Sequence, residues 1–272
     1  MNKFQFSKVI NIWSFQLKNN RRIIIGWTIA VAAIMFMYMI LFPSIQDVAT
    51  VEMQAMPKEL LQLFSMDNFS DMSNFVTYFG MVLGIIEIAI AIFAGTFGAG
   101  LLYKEEKTGS IEFLSTLHFS RTEIYLGKVL AAITALVVLG LATCLSSLAA
   151  GLINGGDTFN AAKVLKILMV SEVISIFTMS VGFFLSGVSG RIPNSIAGSG
   201  PVLICYIIGY LGQLLSDKGK LLRYLSPFQC FNSHSALAME NSTVIQIILY
   251  LAISLALIIA GNIVYCKRDY HI

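Results

Sequence analysis

The run Tyr103-Lys-Glu-Glu-Lys-Thr-Gly-Ser-Ile-Glu-Phe-Leu-Ser-Thr-Leu-His-Phe-Ser-Arg-Thr-Glu-Ile-Tyr-Leu-Gly-Lys128 stands between two long apolar stretches. It carries four bases (Lys104, Lys107, Arg121, Lys128) and four acids (Glu105, Glu106, Glu112, Glu123). An ionised side chain at a bilayer centre costs roughly 2.5–3.5 kcal/mol even on the most lenient scale, so this run belongs at a membrane surface. Within it Ile111, Leu114 and Leu117 recur at i, i+3, i+6, which predicts a short helix with one apolar stripe. Ser120-Arg-Thr-Glu123 reads as a capping box that starts a second helix, running straight into the next apolar stretch. The expectation is helix, break, helix: a stiff protrusion rooted in a span on either side.

Composition agrees with a membrane setting. The chain has 272 residues, 57% hydrophobic and 12% charged, with mean hydropathy +0.78. Soluble domains carry about 25% charged residues. Apolar runs of the roughly 20 residues needed to cross a bilayer fall at about 22–42, 76–102, 129–153, 164–186, 201–216 and 243–265. These predict an all-α membrane protein with six transmembrane helices, in one transmembrane domain over 1–272. An even number of spans puts both termini on one side.

Basic residues choose the side. Lys3, Lys8, Lys18, Arg21 and Arg22 precede the first span, and Lys104, Lys107, Arg121 and Lys128 lie between the second and third. Arg191 lies between the fourth and fifth, and Lys267 and Arg268 follow the last. The opposite side has only Lys58, Lys163, Lys166, Lys218, Lys220 and Arg223. The positive-inside rule then predicts a multi-pass protein of the cell membrane with both termini cytoplasmic. A net charge of +3 leaves no nucleic-acid footprint.

Three flanking segments have character of their own. Over 4–18, Phe6, Val9, Ile10, Trp13 and Leu17 share one helical face, opposite Ser7, Lys8, Asn11, Ser14 and Lys18. That pattern predicts an interfacial amphipathic helix on the inner leaflet, with an arm packed on protein as the alternative. More than twenty residues precede the first apolar run, which argues against a cleavable signal. An extracellular segment over 43–75 includes Pro57-Lys-Glu-Leu-Leu-Gln-Leu-Phe64 and reads as a folded cap; another, over 217–242, carries Tyr224-Leu-Ser-Pro-Phe228 and turns back toward the membrane. Cys144, Cys205, Cys230 and Cys266 show no paired spacing, so neither a disulfide framework nor a metal site is expected.

Several chemistries fail on the residues. No Gly-x-x-x-x-Gly-Lys-Ser/Thr occurs, so a phosphate loop on this chain is excluded. Gly187-Val-Ser-Gly190 resembles an intramembrane serine nucleophile, but His118, His234 and His271 all fall outside the spans and none can take its proton. Glu87 and Glu172 are different. Both fall near the middle of apolar runs, where a carboxylate usually faces a cavity or a partner. They are the pathway candidates, for substrate contact or proton coupling, against a plain hydrogen bond to Ser or Thr of another helix. Gly80, Gly84, Gly95, Gly98 and Gly100 predict close helix contacts along the second span.

The charged run resembles the permease subunit of the type-2 ABC exporter family. There, the connection between the second and third spans runs Glu, Lys/Arg-Ser/Thr-Gly, an acidic-Leu-Leu helix, Leu-Pro-x-Ser-Arg and a downstream Lys. Glu106, Lys107, Thr108, Gly109, Glu112, Leu114, Ser120, Arg121 and Lys128 occupy those places, with His118 where the family usually carries proline. Tyr224–Phe228 and the terminal Tyr265-Cys-Lys-Arg-Asp269 resemble the family's later landmarks. The resemblance implies a coupling segment over 103–128, whose helix at 105–119 docks in a groove on a separate ATPase. Glu105, Glu106, Gly109, Ile111, Glu112, Leu114, Leu117 and Arg121 would form that contact. It further implies two ABC ATPase copies that bind the ATP and Mg, no cofactor on this non-enzymatic chain, and a second permease subunit beside it in the lipid bilayer. Cargo would be a drug, an antimicrobial peptide or a lipid-like amphiphile. The rival classes are an ion-gradient-driven secondary transporter using Glu87 and Glu172, and a non-transporting membrane anchor.

Overall fold

A computed structural model describes residues 5–49, 73–107, 119–189 and 192–267. Within it lie six helices long and apolar enough to span a bilayer: α1 (Phe6–Ile40), α2 (Phe75–Lys107), α3 (Arg121–Asn154), α4 (Ala161–Val188), α5 (Asn194–Leu214) and α6 (Asn241–Lys267). No strand occurs among the described residues. The all-α membrane fold is as predicted.

The helix starts are written locally. Ser120 Oγ accepts from the Glu123 amide at 3.2 Å while Glu123 Oε2 accepts from the Ser120 amide at 2.8 Å, so the capping box forms as read. Asn160 does the same work at α4, accepting from the Lys163 amide at 3.0 Å. Between α3 and α4 the chain turns through Gly156, whose φ of +50° suits glycine. Thr158 Oγ1 in that turn accepts from the Phe75 amide at 3.1 Å, tying the turn to the start of α2.

Two boundaries differ from expectation. Residues 6–18 are not a separate in-plane helix; α1 runs unbroken for 35 residues, roughly 52 Å against a hydrocarbon core of about 30 Å. Lys18-Asn-Asn-Arg-Arg22 is polar but holds no breaker, and Asn20 Nδ2 donates back to Gln16 O at 2.9 Å, a link within the helix itself. The buried stripe is Val9, Ile12, Gln16 and Asn20, set against the start of α3, whereas Phe6 and Ile10 are exposed. The arm therefore packs on protein. The fifth helix starts at Asn194 rather than 201, because Pro201 sits inside it instead of opening it.

The start of α1 and the end of α6 lie at one end of the bundle: the Gln5 amide donates to Glu123 Oε1 at 2.8 Å, and Arg121 Nη1 donates to Cys266 O at 3.1 Å. We call this the terminal side and its opposite the far side. Helices α2 and α4 form the centre; α1 lies along α3, α6 along α4, and α5 crosses α2. Lipid tails are as apolar as leucine, so helix association depends on close packing rather than on expulsion of water. Three glycines provide it. A methyl on Gly95 would fall 2.7 Å from Gly198 O, and methyls on Gly182 and Gly198 would collide with the backbone at Gly95 and Thr96. Helices α2, α4 and α5 thus meet backbone to backbone.

Of the predicted contact glycines, Gly95, Gly98 and Gly100 do face other helices, and Gly80 faces Ser233. Gly84 does not: a methyl there would meet open space. Beyond α5, short helices over Lys220–Leu225, Pro227–Cys230 and Ser233–Ala238 fold back on the bundle. Gly209 and Gly212 admit Ser226 and Arg223, and Tyr250 Oη donates to Tyr224 O at 3.1 Å. Lys166 Nζ ties down Leu237 O at 2.8 Å.

Candidate functional site

The predicted coupling residues fall unevenly. Gly109, Ile111, Glu112, Leu114 and Leu117 lie outside the described residues. Glu105 and Glu106 belong to the last turns of α2, and Arg121 opens α3. The structure shows the two stems from which the segment between them rises, and how they are held.

The α3 stem is bound on two sides. Toward α1, Glu123 accepts from the Gln5 amide, Val9 and Ile12 press on Gly127, and Trp13 Nε1 donates to Thr134 Oγ1 at 2.9 Å. Toward α6, Arg121 caps Cys266 O, and Thr122 Oγ1 lies 3.4 Å from Cys266 Sγ. Tyr125 sits over Gly261, which is also where Gly187 of α4 comes closest to α6. Lys128 is 0% exposed, its ammonium 5.8 Å from the Tyr265 ring centre, within range of a cation–π attraction. On the α2 stem Lys104 Nζ donates to Asn20 Oδ1 at 3.5 Å. Lys8 Nζ lies 5.8 Å over the Phe119 ring. A polar layer thus ties the ends of α1, α2, α3 and α6 together at the base of the charged run.

The far side holds a cavity of about 250 Å³. Gly84 and Glu87 of α2 form one wall, Ser171 and Ile174 of α4 another. Helix α5 contributes Tyr206, Tyr210 and Gln213 at i, i+4, i+7, one face of the helix. The folded-back segment closes it with Phe228, Gln229, Phe231 and Asn232, and Gln229 Nε2 donates to Gln213 Oε1 at 3.0 Å across the seam. Among the described residues no Lys or Arg lines it.

The two pathway candidates separate here. Glu87 is 3% exposed and borders the cavity; Ser175 Oγ donates to its Oε1 at 3.2 Å, and Ser171 lies beside the same carboxyl. Glu172 does not line the cavity: its carboxyl is packed over Gly140 of α3, although it stays close enough to Glu87 for the two groups to interact. Each stands eleven or twelve residues from the far-side start of its helix, some 17–18 Å at 1.5 Å per residue. Both stand at a similar distance along their helices, but only Glu87 lines the cavity. Sequence reading missed Tyr206, Tyr210 and Gln213, although their helical spacing on an otherwise apolar span was a usable signal.

The closing segment is packed firmly enough to test. Cys230 is buried, with its thiol toward Arg223 O and Tyr224 O at 3.4 and 3.5 Å, and burial pushes that thiol up to about 11. Burial disfavours the thiolate, so reactivity must rise with pH toward that value. A variant keeping Cys230 as its sole cysteine is expected to react with maleimide at pH 7 roughly a hundredfold more slowly than a free thiol. Denaturation should restore the full rate. Fast labelling of the folded protein would mean that the segment does not seal the cavity.

Residues 11–265 match the family model described as the C-terminal domain of the multidrug efflux system permease Rv1217c. The match takes in all of α2–α5, most of α1 and α6, and the cavity, while Gln5, Lys8 and Cys266 of the polar layer fall just outside it. No curated protein matches the chain.

Proposed function

The chain belongs to the family of the C-terminal domain of the multidrug efflux permease Rv1217c, and from that premise we propose that it is the membrane subunit of an ATP-driven exporter. In this reading the terminal side faces the cytoplasm, as the basic residues favour. The run between α2 and α3 docks on an ABC ATPase, which binds the ATP and Mg. Two ATPase copies act with two permease subunits, the second being this chain again or a related one. Nucleotide-driven closure of the ATPases rocks the docked segments and switches the pathway from inner to outer access. Cargo is a drug, an antimicrobial peptide or a lipid-like amphiphile.

One observation carries this reading. The helix that leaves the charged run is bound to the start of α1 through Gln5–Glu123 and to the end of α6 through Arg121–Cys266. A force applied to that run therefore loads three helices at once, and Tyr125 over Gly261 passes it on to where α6 meets α4. Coupling between distant sites needs such a packed route. A surface loop without work to transmit would not need it.

Co-expression of the tagged chain with an ABC ATPase encoded beside its gene tests the proposal. The expected result is a purified complex whose ATP hydrolysis is inhibited by vanadate and whose cargo transport needs ATP. Full-rate transport by the chain alone in liposomes, driven by an ion gradient, would overturn it.

A further inference from the structure

We propose that the far-side cavity is a recognition site for the positively charged head of an amphipathic organic cation, with Glu87 as its counter-charge. This rests on the exporter reading and narrows its cargo. The cavity couples one carboxyl to aromatic rings and amides, and among the described residues no Lys or Arg lines it to neutralise that carboxyl from within. An anion entering it would meet the carboxyl of Glu87 with no cation among the described lining residues to offset it. A neutral molecule would gain a hydrogen bond from Glu87 but no charge pairing, and an ionised carboxylate at this depth is costly without a counter-charge. A cation gains twice: from the carboxylate, and from the faces of Tyr206, Tyr210, Phe228 and Phe231, which suit alkylated ammonium groups.

Size narrows the class further. At about 250 Å³ the cavity falls below the roughly 300–1,000 Å³ of sites that enclose a drug-sized molecule. It fits the charged head and one ring, with the apolar remainder left outside. The amides of Gln213 and Gln229 bond to each other across the seam, which fixes that side of the cavity. Gly84 opens the floor: it lies about one turn from Glu87 and its missing side chain leaves empty space.

Equilibrium dialysis of benzyltrimethylammonium against the purified chain in lipid nanodiscs tests this, with empty nanodiscs subtracted. Its uncharged carbon isostere, 2,2-dimethylpropylbenzene, is the comparison. We expect saturable binding of the cation, weaker by about tenfold or more for the isostere and for Glu87→Gln. Gly84→Leu adds bulk where a methyl meets nothing within 4 Å and should remove cation binding by a similar factor, which keeps the test decisive if Glu87→Gln folds poorly. Cation binding unchanged in either folded variant, equal binding of the isostere, or no saturable binding by the wild-type chain would overturn the assignment. No ATPase or nucleotide is present, so failure here leaves the exporter reading standing. Failure of ATPase pairing leaves the binding result intact.

Discussion

Ile111→Asp combined with Leu114→Asp is expected to abolish ATPase co-purification and ATP-dependent transport, while the permease still inserts at its normal level. The two residues lie three apart on the apolar stripe of the charged run and are proposed to enter a groove on the ATPase. A carboxylate forced into such a groove loses its water without gaining a partner, at a cost of several kcal/mol. Two such costs weaken the complex by about a thousandfold or more. Insertion is spared because neither residue belongs to a span, and the stems are held by other contacts: Glu123 to Gln5, Arg121 to Cys266, Lys104 to Asn20. Quantitative co-purification and transport should therefore fall together, with membrane abundance and Cys230 protection unchanged. A complex of wild-type stoichiometry and activity would place the ATPase contact elsewhere. Replacement of Glu52 and Glu59, expected on the opposite face of the membrane, should leave the complex intact.

What the sequence makes legible here depends on whether a feature is local. Six helices follow from apolar length, because only helices and closed β-barrels satisfy a backbone inside lipid and runs of about 20 apolar residues fit the helix rather than the shorter strand. The capping box is legible residue by residue, since its two hydrogen bonds close within four positions. The depth of Glu87 and Glu172 is legible by counting from the helix starts. The direction in which each carboxyl points is not, because it depends on which helix lies opposite: Ser175 and the cavity for one, Gly140 for the other. The glycine meeting point has the same character. Gly95 stands out in a glycine-rich run, but Gly182 and Gly198 acquire meaning only when α4 and α5 cross α2. The first helix is misread for a different reason. Polar residues at 18–22 look like a boundary in a chain where polarity marks the membrane edge, yet helix geometry continues past that edge when no glycine or proline stops it.

The divergence of the two carboxylates yields the second large effect. Glu87→Gln is expected to reduce export of cationic amphiphiles by about tenfold or more, and Glu172→Gln to leave it within about threefold of wild type. Glutamine keeps the shape of the side chain and still accepts from Ser175, so helix packing is preserved and only the charge is withdrawn. At Glu172 the partner surface is the backbone of Gly140, which a neutral amide can face equally well. The gradient-driven alternative makes the opposite forecast: if both groups carried ions, each substitution would stop transport of every cargo, with or without ATP. Export measured in paired membrane vesicles for a cationic and an uncharged amphiphile separates the cases. Under the cavity reading Glu87→Gln discriminates between cargoes and Glu172→Gln does not. Equal loss in both variants, for both cargoes, would remove the cavity from the pathway and return the two carboxylates to a shared ion-coupling role.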